Sequence, residues 1–208
     1  MIRMSMKLPE KIAIAVSGGA DSMAVLDFLS RNKDISVLHF NHGTPSSARA
    51  EGVVTDYCEE KNIPLLVGRL KGSVPAGVSK EEFWRDKRYN FFDRFSQTPG
   101  YSHRPIITCH HLDDLVETWL FTSFHGDPKL IPSQRGRYLR PFLITRKAIF
   151  EDWCDRKSVP HIVDPSNEDQ SFMRNYIRHE LVPKALRVNP GIHKVLRKKV
   201  MNNPLIFD

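Results

Sequence analysis

Cysteine is scarce in this chain and poorly spaced for cross-linking. The 208 residues contain three, Cys58, Cys109 and Cys154, with no Cys-x-x-Cys pair. That excludes a disulfide framework and the usual zinc and iron–sulfur ligand spacings, and it suits a reducing compartment. No apolar run approaches the ~18–20 residues that a membrane-spanning helix requires. Residues Met1–Glu10 lack the apolar core of a secretory signal, so a cytoplasmic location with no membrane attachment is expected. Neither a Walker A loop nor a Gly-x-Gly-x-x-Gly turn occurs, which removes the main support for P-loop and dinucleotide-binding enzymes. Internal repeats and low-complexity segments are also missing.

What remains is ordinary globular material, 40% hydrophobic and 26% charged. The length suffices for one large domain with a real core. The 31 Lys+Arg outnumber the 24 Asp+Glu, giving a net charge of +7. This excess is local. Between Arg135 and Lys147 there are five basic residues and no acid, and between Ser171 and Val200 eight basic residues and one acid, Glu180. Such a distribution fits either a solvated helical face or a surface that approaches nucleic-acid phosphates.

Short apolar runs alternate with longer amphipathic stretches, the pattern of βαβ units and a parallel α/β sheet. Strands are expected at 11–16, 35–40, 63–67 and 105–109. Helices are expected at 22–30, 47–61, 79–95, 111–124, 147–157 and 172–186. Ser79 is placed to cap its helix, with Glu82 as capping-box partner. Residues 126–141 read as a loop. Residues 172–208 read as a helical, basic extension with no defined pattern beyond Asn189.

The strongest local signal is Ser17-Gly18-Gly19-Ala20-Asp21-Ser22, between the first strand and its helix. Two glycines allow a tight turn and close backbone approach to an anion. The free amides of the new helix then face that anion, with the Ser17 and Ser22 hydroxyls as further donors. Asp21 stands where it could hold Mg²⁺ on phosphate oxygens. A second constellation, His110-His111-Leu112-Asp113-Asp114-Leu115-Val116-Glu117, ends the fourth strand. Ligands of open parallel sheets sit at strand C-termini, so this segment should lie beside the first. The spacing places His110, Asp114 and Glu117 on one helical face, an arrangement suited to a metal ion and an attacking amine. Asp113 is expected only to favour the helix dipole. Trp84, Trp119 and Trp153 are expected in the core, and His103, His125, His161 and His193 as structural.

The Ser-Gly-Gly-x-Asp-Ser turn resembles the PP-loop of the N-type ATP pyrophosphatases, which cleave ATP to AMP and pyrophosphate. Five further segments, in order, resemble the tRNA(Ile)-lysidine synthetase family. These are Leu38–Gly43, Glu82–Phe92, His110–Thr118, Arg140–Leu143, and Asp164–Asn167 with Arg174–Pro183. The resemblance spans roughly residues 11–190. It departs at Thr44-Pro45, where the family has Leu-Arg, and at 125–137, which lacks the family's Gly-Met loop.

The resemblance implies a Rossmann-like fold of the adenine nucleotide alpha hydrolase type, with helices on both faces of the sheet. It implies that residues 1–208 form a single catalytic domain without the family's C-terminal tRNA-recognition domains. The implied reaction adenylates the wobble cytidine of isoleucine tRNA with ATP and then attaches free lysine. Ser17, Gly18, Gly19, Asp21, Ser22 and Asn41 would bind the nucleotide, with Mg²⁺ on Asp21 and Asp114. Asp21, His110, Asp114 and Glu117 would be catalytic. Arg85, Arg88, Arg135, Arg137, Arg174, Asn175 and Arg178 would contact substrate or tRNA. A domain of this size could pair as a homodimer to widen its tRNA surface. The rival readings are a PP-loop tRNA thiolase, an amidating enzyme acting on a small metabolite, and an inert RNA-binding relative.

Overall fold

Ile12, Ala13 and Ile14 have no solvent exposure, because the strand they form is covered on both faces. That strand is β1 (Lys11–Ala15) in a computed structural model that describes residues 1–170 and 172–202. The remaining elements are α1 (Ala20–Ser30), β2 (Asp34–Asn41), α2 (Pro45–Glu60), β3 (Leu65–Arg69), α3 (Lys80–Phe95), β4 (Ile106–Thr108) and α4 (Leu112–Phe124). After them come β5 (Gln134–Arg135), β6 (Tyr138–Leu139), α5 (Lys147–Lys157), a 3₁₀ turn (Pro165–Glu168), α6 (Met173–Tyr176), α7 (Val182–Val188) and α8 (Ile192–Asn202).

The strands form a six-stranded sheet in the order β3-β2-β1-β4-β6-β5, parallel except for the β5–β6 pair. Side chains alternate across β1. Ile12 and Ile14 join Met23, Leu26, Val37, Phe142 and Phe150 in a core with α1, α2 and α5. Ala13 faces the other way, with Leu38, Ile106, Phe92 and Phe95 under α3. Helices therefore cover both faces, as the α/β reading requires. A third cluster joins α4 to α8 through Leu112, Leu115, Val116, Ile192 and Leu196.

Chain order reverses at β1, which has β2 on one side and β4 on the other. Ala15 pairs with Leu38 and with Thr108, so the chain leaves β1 and β4 side by side. Crevices at such switch points bind ligands.

The structure departs from the sequence expectations in several places. Residues 126–141 contain the β5–β6 hairpin, whose two-residue strands are too short to show periodicity; it turns at Gly136, φ 55°. The helix expected over 172–186 is broken into α6, a π turn (Ile177–Leu181) and α7. Pro183 explains the break, since it lacks an N–H and its ring crowds the carbonyl four residues back. A helix, α8, occupies Ile192–Asn202, while residues 203–208 of the expected extension lie outside the described residues. Ser79 does precede α3 but makes no side-chain cap, so its capping box with Glu82 is not formed. The Thr44-Pro45 departure has a local explanation. Thr44 and Ser47 form a reciprocal capping box at the start of α2, with Pro45 in the first turn, where its fixed φ suits the helix.

Asp113 does more than favour a dipole. It accepts from Arg146 Nε (2.9 Å), the Lys147 amide at the start of α5 (2.7 Å) and His193 Nε2 of α8 (3.1 Å). One carboxylate thus ties α4 to α5 and α8. Burial favours its protonated form, but the His193, Lys147 and Arg146 contacts outweigh that and hold it well below the usual carboxylate range. A depressed folded value means the stabilisation is complete above the unfolded value of about 3.9. It is lost as pH falls through the folded one. Asp113→Asn should therefore cost about 2 kcal/mol at neutral pH, a fall in Tm of roughly 4–8 °C. Thermal denaturation followed by circular dichroism should show the gap between variant and parent narrowing as pH drops below about 4.

Candidate active site

At the end of β1 the backbone must turn sharply into α1. Gly18 takes φ 89°, and a Cβ there would sit 2.9 Å from the Ala50 Cβ. Only glycine satisfies both conditions. Ser22 Oγ, buried beneath the turn, donates to the Gly19 carbonyl (3.0 Å) and accepts from the Ser17 amide (3.1 Å). Ser17 Oγ lies 3.1 Å from Ser22 Oγ. The Gly18 carbonyl accepts from the Ile162 amide at 2.9 Å, which straps the segment after α5 to the turn. Gly19 precedes α1 and provides no side-chain cap. The first amides of α1 are thus presented to the cleft with the positive end of the helix dipole behind them.

The turn opens onto a cleft of about 490 Å³ lined by Ser17, Gly19, Asp21, His39, His42, Arg88, His110, His111, Asp114, Lys147, Arg174 and Arg178, among others. Asp21 Oδ1 has no hydrogen-bond partner, and Oδ2 lies 3.6 Å from His111 Nε2. An unpartnered carboxylate oxygen beside uncapped helix amides fits a Mg²⁺–phosphate pair. Asp114 is less free to act as a metal ligand, because both its oxygens are already engaged. Oδ2 accepts from the His111 amide (2.9 Å) and Oδ1 from Arg174 Nη2 (3.1 Å). No cluster of three or more acidic, His or Cys ligands occurs among the described residues. Mg²⁺ needs no such cluster where substrate phosphates and water complete its shell.

The expected His110–Asp114–Glu117 face is only partly formed. The helix begins at Leu112, so His110 precedes it and lies off its face. His111 takes the cap instead: its Nδ1 accepts from the Asp114 amide at 3.2 Å while Asp114 reciprocates. Sequence reading passed over His111 because a helix-capping histidine carries no periodic signal. Burial disfavours its charged form, but Asp114, Asp21 and Asp113 outweigh that and hold its pKa above the ordinary value. His110, with Nδ1 3.0 Å from Thr108 Oγ1, is pushed down to about 4, mainly by burial, so it is neutral at neutral pH. Burial would raise Asp114, yet His111, Arg174 and His110 bring it down to about 2.

Glu117 is buried and does not line the cleft. Arg178 grips it with Nε (2.7 Å) and Nη2 (3.2 Å), and Arg174 Nε adds a third bond at 3.2 Å. Arg174 therefore bridges Asp114 and Glu117, the two residues that do share a face of α4. Asn175 turns away and clamps the 3₁₀ turn through the carbonyls of Ser166 (2.8 Å) and Asp169 (2.9 Å). Asn41 also stays out of the cleft, donating to Glu51 Oε2 and accepting from Gly43 and Ser47, each at 2.7 Å. Arg88 reaches this cleft, while Arg85, Arg135 and Arg137 line a neighbouring one. Among the described residues neither Arg85 nor Arg88 pairs with Glu81 or Glu82.

Two histidines of the Leu38–Gly43 segment also line the cleft. His39 Nδ1 donates to the Val16 carbonyl (2.9 Å), which leaves Nε2 buried without a partner. His42 stacks on Trp84 (centroids 5.0 Å apart, planes at 30°), and burial, with Arg88 and His39, lowers it to about 4. Trp84 is thus half-buried against the site and is not a core residue.

A model of the PP-loop domain family matches residues 3–185. The chain is 32% identical over 206 residues to "tRNA(Ile)-lysidine synthase" of Thermotoga sp. (strain RQ2), covering 92% of this chain and 49% of that protein. It is 34% identical over 197 residues to the protein of the same name from Geobacter sulfurreducens, covering 88% and 41%. The chain thus spans about half the length, or less, of these curated relatives. Among solved structures it is similar to the U34-tRNA thiolase NcsA from Methanococcus maripaludis, with a TM-score of 0.74 at 15% identity, covering 94% of this chain and 74% of that one. That likeness concerns the fold.

The arginine–carboxylate clamp yields a direct test. Arg178→Ala leaves the Glu117 carboxylate buried with a single cation, which should cost about 3 kcal/mol. Urea denaturation should show the loss as a lower midpoint with an unchanged slope.

Proposed function

Because the chain belongs to the PP-loop domain family, we propose that residues 1–208 act as one catalytic unit of an ATP-dependent tRNA-modifying ligase. It adenylates the wobble cytidine of isoleucine tRNA and joins free lysine to it, releasing pyrophosphate and AMP. The observation that carries this reading is the single cleft in which Asp21, with its unpartnered oxygen, and the uncapped start of α1 face His110, Asp114 and Arg174.

In this reading the Ser17–Ser22 turn and the first amides of α1 hold the pyrophosphate portion of ATP. The C2 oxygen of cytidine attacks the α-phosphorus, a P–O bond forms, and the bond to the β-phosphate oxygen breaks. Arg174 and Arg178 hold positive charge beside the α-phosphate, where negative charge develops. A Mg²⁺ ion bound by Asp21 would supply charge neutralisation on the departing pyrophosphate. Adenylation turns the C2 oxygen into a leaving group. The lysine amine then adds to C2, the C2–O bond breaks, and AMP departs. The ionised Asp114 attracts the ammonium form of the incoming lysine. That ammonium gives up one proton to solvent to become the nucleophilic amine, and a second after it has added to C2. His110, neutral at neutral pH, lines the same cleft as an acceptor for that second proton. Glu117 acts through Arg174 and Arg178, which it positions.

A thiolase is the less favoured reading. Burial, with Asp21 and Asp114, pushes the Cys109 thiol well up, and burial raises Cys58 to about 11, so neither offers a thiolate for sulfur transfer. No helix among the described residues is long and apolar enough to cross a membrane. A cytoplasmic site, where tRNA and free lysine are available, and a homodimer presenting a wider tRNA surface complete the proposal.

The test is incubation with isoleucine tRNA, Mg-ATP and radiolabelled lysine. Label should enter tRNA with AMP and pyrophosphate in equal amounts. ADP as product, or no lysine transfer, overturns the reading, and transfer from a sulfur donor would favour the thiolase. Asp21→Ala should lower pyrophosphate release by roughly 10²–10³-fold with no loss of thermal stability.

A further inference from the structure

Beside the nucleotide cleft lies a second one of about 400 Å³, between α3 and the β5–β6 hairpin. Its lining carries four guanidinium groups, from Arg85, Arg135, Arg137 and Arg140, with one carboxylate, Asp86. Tyr89 lines both clefts, and Arg88, its neighbour in α3, faces the nucleotide side. The two clefts therefore share a wall.

The four arginines lack carboxylate partners: among the described residues, no Asp or Glu lies within the 4.0 Å of an ion pair from any of them. Arg140 is only 5% exposed. Its Nη1 donates to the Pro132 carbonyl at 2.8 Å, and its Nε has no partner. Arg137 donates to the Ser102 carbonyl, and Arg85 lies over the Tyr89 ring, 5.4 Å from its centroid. Burial lowers the Arg140 pKa; the adjacent Tyr89 hydroxyl partly opposes that, and repulsion from Arg85 and Arg135 adds to it. Gathering like charges on a partly buried surface is unfavourable unless an anion completes the arrangement.

The shape of the cluster selects among anions. Arg85 and Arg135 are exposed at the mouth, and Arg140 is buried behind them. The charges come from α3, from both sides of the hairpin turn at Gly136 and from the segment after it, so they are spread out and do not focus on one point. Asp86 at the rim disfavours a compact, highly charged ligand such as a triphosphate. A phosphodiester chain, with one charge per nucleotide, suits a spread of single cations. A strand whose base enters the nucleotide cleft must also lay its neighbouring phosphates across the shared wall.

We propose that this arginine cleft is the phosphodiester-binding subsite for the RNA strand on which the nucleotide cleft acts, holding phosphates that flank the target base. The proposal rests on the tRNA-modifying reading and adds to it a defined track for the backbone. Backbone contacts of this kind set register and orientation without reading sequence.

The test is binding of isoleucine tRNA transcript to the full chain, without ATP or lysine, across a salt series. Arg85→Ala/Arg135→Ala removes two exposed cations that hold no carboxylate, so the fold should be kept. Affinity should fall about 10-fold or more at moderate salt. The slope of log K against log salt should flatten by about 1.4–1.8, near 0.7–0.9 per lost phosphate contact. Arg156→Ala, on the outer side of α5 where Arg156 pairs with Asp152, serves as the charge control and should change neither quantity. An unchanged slope in the double variant, or an equal loss in the control, overturns the proposal. So does loss of inorganic phosphate binding with RNA binding intact, which would mark a small-anion site. The two readings fail separately. Wild-type protein that binds RNA through these arginines but transfers no lysine ends the lysidine reading alone. Lysine transfer alongside an unchanged slope in the double variant ends this one alone.

Discussion

The site depends on one pairing, that of β1 with β4. Ala15 lies opposite Thr108 in parallel register, so the glycine turn after β1 and the His110-His111 turn after β4 emerge at the same edge. The segments are about ninety residues apart in sequence and meet only because the sheet places β4 directly beside β1. Burial on both faces fixes that register. A slip by one residue would send Ile14 and Ile107 to the side occupied by Ala13 and Ile106, reversing two packed cores at once. The position of the chemistry is thus held by the hydrophobic alternation of β1 and does not rely on polar contacts within the cleft.

Those polar contacts set a second constraint. Asp114 and Glu117 of α4 are buried carboxylates, and burying an ion is costly unless it is paired. Their partners arrive from the far end of the chain, where Pro183 breaks the helix and a π turn carries Arg178 while α6 carries Arg174. Arg174 and Arg178, four residues apart, meet that need together: both bond Glu117, and Arg174 also reaches Asp114. The buried carboxylates thus tie this irregular segment to α4.

Sequence carried the large features well, and the reasons are physical. The runs at 11–16 and 35–40 are fully apolar because they are buried on both faces, and that signal is strong. The Ser17–Ser22 turn was legible because Gly18 has both a positive φ and no room for a Cβ. The His110–Glu117 segment was legible as chemistry but not as geometry. Helical spacing assigned His110 to a face of α4, whereas the helix starts two residues later and His111 holds its cap. Helix starts are poorly marked in sequence because the cap is a hydrogen bond and not a periodicity. The β5–β6 hairpin was invisible for a related reason, since strands of two residues have no period. Asn41 and Asn175 illustrate a third limit. Both stand in motifs shared with a family, yet their amides are engaged in holding α2 and the 3₁₀ turn. A motif marks residues that matter without telling scaffold from contact.

The net charge of +7 can now be divided by what the cations face. Arg174 and Arg178 are matched by Asp114 and Glu117, Arg146 by Asp113, and Arg156 by Asp152. The pairs of Arg146 and Arg156 serve the scaffold alone, whereas Arg174 and Arg178 also line the first cleft. Among the described residues Arg85, Arg88, Arg135 and Arg140 have no such partners, and they line two clefts that share Tyr89. Long-range attraction of a polyanion depends on charge that is not already neutralised nearby. These cations, rather than the net total, are therefore the ones positioned to attract an anion to the two clefts. The basic stretch from Arg135 to Lys147 contributes through position: its first three arginines line the second cleft, while Arg146 and Lys147 anchor α5 to Asp113. The cations around the two clefts thus fall into two groups, one paired with buried carboxylates and one without a carboxylate partner among the described residues.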